Sequence, residues 1–147
     1  MDDIKKILAP VDFSDNSCKI VATAASLARR FKAELAVVFV IQSFEDYPGF
    51  FVPKMPAQFE EETIRNAEDK MQSFIKECLP PDTAVQSRVL TGDVAEAIVE
   101  HAAQTGVDLI VIGTHGYKGL ELILFGSVAD KVIKTAPCPV LSINPYR

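Results

Sequence analysis

Residues 107–128 read VDLIVIGTHGYKGLELILFGSV, and this segment contains the features that decide the fold. Its apolar run at 109–112 is typical of a strand that is covered on both faces in a parallel sheet. Glycines then interrupt the run, and a segment with helical spacing begins near Gly126. Ser127 is a good N-cap for that helix, and Asp130, three residues later, completes a capping-box-like pair. The segment therefore predicts a strand, a glycine-rich loop and a capped helix.

The glycines beside this helix start are also typical of an anion-binding loop. Backbone N–H groups at the start of a helix carry a partial positive charge and lack partners inside the helix. Glycines let an anion come close to the main chain, although many glycine loops only turn the chain. The combination predicts a phosphate-binding loop.

The composition predicts one globular domain, residues 1–147. Apolar residues make up 48% of the chain and charged residues 24%, and the length suffices for one well-buried core. The formal net charge is −5 with scattered basic residues, which argues against a nucleic-acid or anionic-membrane surface. The polar start is unlike a signal peptide, and the apolar runs fall short of the roughly 20 residues of a membrane span. We therefore expect a cytoplasmic protein.

The cysteines predict no special chemistry. Cys18, Cys78 and Cys138 are odd in number and widely spaced, without a CxxC pair. This spacing indicates neither a disulfide framework nor a zinc site. We interpret Cys138, which lies between two prolines, as a small buried apolar residue rather than a reactive thiol.

Alternating strand and helix patterns predict the order β-α-β-α-β-α-β-α-β. The predicted strands are residues 4–9, 34–41, 84–90, 109–112 and 139–143. Ser14 is expected to cap the first helix, the second helix covers residues 57–79, and Asp93 and Glu96 form a capping box on the third. Right-handed crossovers make the strands parallel. The predicted fold class is therefore α/β, a five-stranded parallel, doubly wound, Rossmann-like sheet with helices on both faces.

The long segment 42–56 is irregular and rich in aromatic residues and prolines. Segments of this length tend to be lids, binding loops or disordered links. An alternative is that its aromatic rings simply pack on the helix that follows. Both interpretations stay open.

The glycine spacing resembles the nucleotide-binding signature of the universal stress protein family. Gly113 is followed after two residues by Gly116, and after nine more by Gly126 and Ser127. The surrounding sequence is similar to the family over nearly the whole chain: ILAPVDFS at 7–14, GTHG at 113–116, GSVADKVI at 126–133 and APCPVL at 136–141. The resemblance implies the strand order 3-2-1-4-5. Strands 1 and 4 would then be neighbours at the topological switch point, where such sheets bind ligands.

The phosphates of a nucleotide are expected on the backbone amides of four residues of the glycine-rich segment. These are Gly116, Gly126, Ser127 and Val128. The Ser127 hydroxyl would be an extra donor, and the alternative for Ser127 is a plain N-cap. His115 in the same loop would either contact a phosphate or only order the loop.

The rest of the expected site comes from the resemblance. It implies that Asp12 and Gly113 lie beside the ribose, and that Val40 offers backbone groups to the adenine edge. The residues that would wall the base are Pro10, Val11 and Ile112. An Asp just before a helix is often only a cap, so Asp12 keeps that alternative role.

Missing motifs limit the chemistry that we expect. The chain has no GxxxxGK[ST], no GxGxxG after the first strand and no GxSxG. The sequence therefore predicts nucleotide binding without a catalytic apparatus. The expected ligand is ATP, with AMP or ADP as alternatives and Mg²⁺ as an optional companion. No protein partner can be named.

Two hypotheses remain. The first is an ATP-binding, cytoplasmic, homodimeric stress-response protein that dimerises through its C-terminal strand and uses nucleotide occupancy as a signal. The alternative is a protein-interaction module of the same fold that needs no nucleotide. A slow ATPase would require a water-activating group that the sequence does not identify.

Overall fold

Strands and helices alternate along the computed structural model, which describes residues 3–43, 56–115 and 125–146. The strands are β1 Lys6–Pro10, β2 Glu34–Gln42, β3 Gln86–Gly92, β4 Leu109–Gly113 and β5 Val140–Ile143. The helices are α1 Asp15–Phe31, α2 Ala57–Cys78, α3 Val94–Thr105 and α4 Phe125–Thr135. The predicted element order is confirmed.

These five strands form one parallel sheet in the order β3-β2-β1-β4-β5. The central strand β1 pairs with β2 on one side, from Lys6↔Glu34 onward, and with β4 on the other, at Ile7↔Leu109. The order 3-2-1-4-5 that the family resemblance implied is therefore confirmed. The carboxyl ends of β1 and β4 lie side by side, where the sheet reverses its winding direction.

Two apolar cores cover the two faces of the sheet. One contains Ile7 and Val37 with residues of α1 and α2, and the other contains Leu8 and Ile110 with residues of α3 and α4. Successive side chains of a strand point to opposite faces, and here both faces are covered. This explains why the central strands are continuous apolar runs rather than alternating patterns.

The third helix begins as the sequence predicts. The Asp93 carboxylate accepts a hydrogen bond from the Glu96 N–H over 3.1 Å and thus satisfies one of the donors at the helix start. Gly106 ends the helix with a φ of 68°, a left-handed conformation that costs glycine little. Local sequence therefore determines both ends of α3.

Some strand limits differ from the prediction. Strand β1 begins at Lys6 because the N–H groups of Lys5 and Lys6 bond to the Asp108 carboxylate, at 2.9 and 3.0 Å. Strand β3 continues to Gly92, which stays in register with Gln42 of β2. These limits depend on long-range partners that local propensity cannot reveal.

The prediction of no disulfide is wrong. Cys18 of α1 and Cys78 of α2 form a disulfide between residues 60 positions apart, with a Cα–Cα distance of 5.1 Å. The pairing depends on which faces of the two helices meet, and sequence spacing does not contain that information. Cys138 is a free cysteine that is only partly buried, whereas the sequence led us to expect a buried one.

The helices of the described ranges are too short or too polar to cross a membrane. Segment 44–55, which contains most of the long irregular piece, lies outside the described residues.

Candidate functional site

The turn between β1 and α1 is held by Asp12. Its Oδ1 accepts hydrogen bonds from the Ser14 N–H over 2.9 Å and from the Ser17 hydroxyl over 2.8 Å. The Asp12 N–H in turn donates to Ser17 Oγ over 3.2 Å. Asp12 therefore holds the turn that leads into α1 but, among the described residues, bonds with no N–H group of the helix itself, so the capping role that the sequence left open is taken only in this indirect form. Ser17 was not predicted, because no motif marks a partner five residues downstream.

Ser14 occupies the N-cap position of α1, as predicted, but its side chain does not cap the helix. The residue is only 5% exposed, and its hydroxyl finds no hydrogen-bond partner within the described residues. Leaving such a group unpaired costs about 1–3 kcal/mol. A buried polar atom of this kind is a feature of sites that receive a polar ligand or water.

Phe13 holds the same turn in an unusual backbone conformation. Its φ of 64° lies in the left-handed region, which disfavours residues with a Cβ. The ring lies 4.4 Å from the ring of Phe39 and 5.5 Å from that of Phe74, and the Lys70 ammonium lies 5.4 Å from its centroid. These contacts from β2 and α2 fix the turn. Composition and spacing gave no signal for this role.

The end of β4 approaches α1 closely. A Cβ on Gly113 would lie 3.2 Å from side-chain carbons of Ile20, which is tighter than an ordinary contact. Glycine at this position thus has a packing reason besides any ligand. Ile112 has no exposed surface. Its side chain packs in the core against α3 and α4, beneath the crevice.

Residues expected around the base lie at the carboxyl ends of neighbouring strands. Pro10 ends β1, and the Val11 N–H that follows it donates to the Val38 carbonyl of β2 over 2.9 Å. Val40 lies on β2, two residues before that strand ends, and is 7% exposed. Pro10, Val11 and Val40 are all buried. Val11 packs in the core under α1 and α2, and Val40 packs in the core under α3 and α4, so at this end of the sheet they can offer main-chain groups rather than side chains.

The loop after β4 contacts the chain end. The Thr114 N–H donates to the Ile143 carbonyl over 2.9 Å, and the Thr114 hydroxyl lies 2.8 Å from His115 Nδ1. The His115 ring meets the Tyr146 ring edge-on, with 5.2 Å between centroids. The structure thus shows that His115 has a loop-ordering role, which was one of its two predicted alternatives.

The residues after β5 also contact the first turns of α1. Asn16 Nδ2 donates to the Tyr146 hydroxyl over 3.1 Å, and Lys19 Nζ donates to the Pro145 carbonyl over 2.8 Å. Side chains therefore connect the carboxyl ends of β1, β4 and β5, which lie at the same end of the sheet. This contribution of Tyr146 could not be predicted from local sequence.

The start of α4 differs from the prediction in one respect. The helix begins at Phe125, so Ser127 lies inside its first turn, and the N-cap assigned to it is wrong. Asp130 bonds with Lys134 over 3.0 Å, one turn later, instead of completing a capping pair. The first four N–H groups of a helix lack partners within it. The amides of Gly126, Ser127 and Val128 therefore belong to an end that can accept an anion.

Gly116, which belongs to the predicted phosphate-binding residues, and residues 117–124 lie outside the described residues. Within the described ranges, no three His, Cys, Asp or Glu side chains converge in a way that could hold a metal ion.

The chain is similar to known proteins over almost its whole length. The family model described as "Universal stress protein family" matches residues 3–144. Universal stress protein MJ0531 of Methanocaldococcus jannaschii is 36% identical over 142 residues, which cover 95% of this chain and 82% of the relative.

Solved structures agree. Universal stress protein UspA from Lactobacillus plantarum has a TM-score of 0.70 at 25% identity, covering 98% of this chain and all of the other. A universal stress protein from Archaeoglobus fulgidus, solved in complex with dAMP, has a TM-score of 0.59 at 25% identity and covers 97% and 100% of the two chains. The chain belongs to the universal stress protein family.

Proposed function

We propose that this protein binds ATP at the crevice between β1 and β4 and uses nucleotide occupancy as a regulatory signal. One observation carries the proposal: the strand order places Asp12 and Gly113 at neighbouring strand ends, at the switch point of the sheet. The Archaeoglobus fulgidus relative in complex with dAMP supports an adenine nucleotide as the ligand class. AMP and ADP share the base and ribose and are alternative ligands, and Mg²⁺ is an optional companion of the phosphates.

Each part of the site has a chemical role in this proposal. The amides of Gly116, Gly126, Ser127 and Val128 would bind the phosphates, helped by the partial positive charge at the start of α4. A ribose hydroxyl would donate to the Asp12 carboxylate. The buried Ser14 hydroxyl beside that carboxylate supports a polar ligand at this turn.

We expect ATP to be hydrolysed very slowly or not at all. Asp12 and His115, the titratable groups described at the ends of β1 and β4, are each held by hydrogen bonds to neighbouring residues. Binding alone can act as a signal, because a ligand that prefers one conformation shifts the population towards it. We place this regulatory protein in the cytoplasm and propose that it acts as a homodimer through β5.

A nucleotide-independent interaction module of the same fold is the alternative. Denaturing mass spectrometry of the purified protein separates the two, because a bound nucleotide is released and identified by its mass. Calorimetric titration with ATP, ADP and AMP then measures each affinity. A micromolar dissociation constant for ATP is expected. If no adenine nucleotide co-purifies and none binds at millimolar concentration, the ATP-binding function is wrong and the interaction module is favoured.

A further inference from the structure

The disulfide joins the start of α1 to the end of α2 beside the candidate site. Cys18 directly follows Ser17, whose hydroxyl holds Asp12. Cys78 is the last residue of α2 and lies one helical turn beyond Phe74, which contacts the Phe13 ring. The bridge and the ring contact therefore connect α2 with α1 and with the turn that directly precedes α1. One of these connections is covalent and can be broken by reduction.

Both bridge residues are only partly buried. They pack against the core that α1 and α2 cover rather than lie within it, and reaction of the bridge requires that an oxidant or a thiolate approach their sulfur atoms. Cys138 is a free cysteine that is also partly buried; burial raises the pKa of its thiol, and the charge of Asp108 raises it further. Its thiol stays protonated at neutral pH, so it is a poor nucleophile and a suitable internal control.

We propose that Cys18 and Cys78 are a reversible redox site, oxidised by a peroxide and reduced by a dithiol, that controls the freedom of the α1 start. In oxidation, one thiolate attacks a peroxide oxygen, the O–O bond breaks, and a sulfenic acid and water form after proton transfer. The second thiol displaces the sulfenic oxygen as a second water and forms the S–S bond. Two thiols thus lose two electrons and two protons, and hydrogen peroxide becomes two waters.

Reduction breaks the disulfide by thiol–disulfide exchange. A thiolate of the dithiol attacks one bridge sulfur, forms a mixed disulfide and releases the other cysteine as a thiolate. The second thiol of the reductant then closes its own disulfide and releases the remaining cysteine. Reduction removes the covalent link between α1 and α2. The ring contacts of Phe13, whose backbone φ is 64°, then hold the turn without that link. We expect the 12–18 segment to open more often in the reduced protein.

A consequence for ligand binding rests on the proposed function. Asp12 and Ser14 lie in the segment that the bridge fixes, so the oxidised protein has a more preorganised ribose contact. ATP should therefore bind the oxidised form about three- to tenfold more tightly, which is the size of a modest preorganisation effect.

The test measures the redox state and the mobility of the α1 start on the same full-length protein. Wild type is treated with hydrogen peroxide or with dithiothreitol and alkylated with N-ethylmaleimide under native and denaturing conditions, and its intact mass is measured. One adduct is expected for the denatured oxidised protein and three for the denatured reduced protein, with return to one after peroxide. Hydrogen exchange of residues 12–18 should be at least tenfold faster in the reduced form. In hydrogen exchange, Cys18→Ser and Cys78→Ser should match reduced wild type. Cys138→Ser should exchange as wild type in both states, with one adduct fewer in each because it lacks one cysteine.

The outcomes are distinguishable. A bridge that native-state dithiothreitol cannot open, or equal exchange in the two redox states, overturns the redox site whether or not ATP binds. Faster exchange with an unchanged ATP affinity supports the redox site and overturns its coupling to the ligand. Absence of ATP binding in both states, with faster exchange after reduction, counts against the proposed function and leaves the redox site supported.

Discussion

Asp12 accepts hydrogen bonds inside its own loop, and this limits what it can offer a ligand. Both loop bonds end on Oδ1, from the Ser14 N–H and from the Ser17 hydroxyl. The second carboxylate oxygen is therefore the one suited to a ribose hydroxyl. The same side chain thus holds the turn before α1 and, in the proposed function, would bind a nucleotide, and substitution can separate the two roles.

Asp12→Asn and Asp12→Ala should differ in stability. The asparagine keeps an oxygen that accepts the loop bonds, so it should unfold close to wild type. Alanine removes both bonds and should cost about 1–3 kcal/mol, at roughly 0.5–1.5 kcal/mol for each bond. Both should weaken ATP binding about tenfold, because a charged acceptor makes a stronger hydrogen bond than an amide. Urea unfolding and calorimetry measure the two effects. Asp15→Asn, an exposed charge change in the first turn of the same helix, is the matched control and should keep ATP affinity.

Gly126→Val tests the phosphate-binding role of the α4 start. A branched side chain there should obstruct phosphate, while stability is kept, since valine favours a helix more than glycine does. In wild type, ATP at ~100 times its dissociation constant should add about 2.7 kcal/mol of stability. The rise in melting temperature that accompanies this stabilisation should disappear in Gly126→Val. It should persist in Thr135→Val, which adds valine at the opposite end of α4. A full wild-type shift in Gly126→Val would refute the assignment.

His101 should give a small pH dependence of stability. Burial lowers its pKa below the ordinary value of 6.5, and the charges of Arg88 and Lys6 lower it further. Near and below pH 6.5 the unfolded state then binds more protons than the folded state, so stability falls as pH falls from 6.5 towards the folded pKa. His101→Gln should remove this component. Chemical unfolding at several pH values between 5 and 8 measures it, and identical pH profiles for variant and wild type would contradict it.

At the scale of elements, the disulfide should contribute much of the stability of the α1–α2 layer. The chain-entropy model gives about 4 kcal/mol for a crosslink between residues 60 apart. Urea unfolding with and without dithiothreitol should show a loss of this order in wild type. Cys78→Ser should unfold like reduced wild type and should not respond to the reductant. Loss of stability on reduction in Cys78→Ser as well would show that the bridge is not its source.

The elements show what the sequence could predict and where it failed. The start of helix α3 was predicted correctly because the Asp93 carboxylate sets it through a local bond with the Glu96 N–H. The start of α4 was missed because the apolar residue Phe125 begins the helix before the expected cap at Ser127.

Contacts between distant residues were beyond sequence reasoning. The Cys18–Cys78 bridge and the contact of Tyr146 with Asn16 join residues 60 and 130 positions apart. In both cases the helix faces and chain ends that meet are set by tertiary packing rather than by local periodicity. The positive φ of Phe13 belongs to the same class, since rings from β2 and α2 stabilise it.

At the scale of the whole molecule, the sheet order leaves β5 at one edge. On its inner side β5 bonds with β4, for example through the Thr114 N–H and the Ile143 carbonyl. Along the strand, Leu141 is 40% exposed and Ile143 is partly buried, and β5 contains no charged residue. Apolar, uncharged edge strands invite pairing with another strand. A two-fold axis through this edge would pair β5 antiparallel with its own copy.

We therefore predict a homodimer that Leu141→Lys or Ile143→Lys dissociates. Leu141→Lys is the cleaner change, because Ile143 also packs on the core of its own chain and its replacement should lower stability as well. Light scattering at micromolar concentration should give twice the chain mass for wild type and the single chain mass for both variants. Phe59→Lys, which places a lysine on another exposed apolar residue, on α2, should remain dimeric. Two lysines that face each other closely across a two-fold axis repel each other, so lysine variants that stay dimeric would show that β5 is not the interface. A monomeric wild type would show the same.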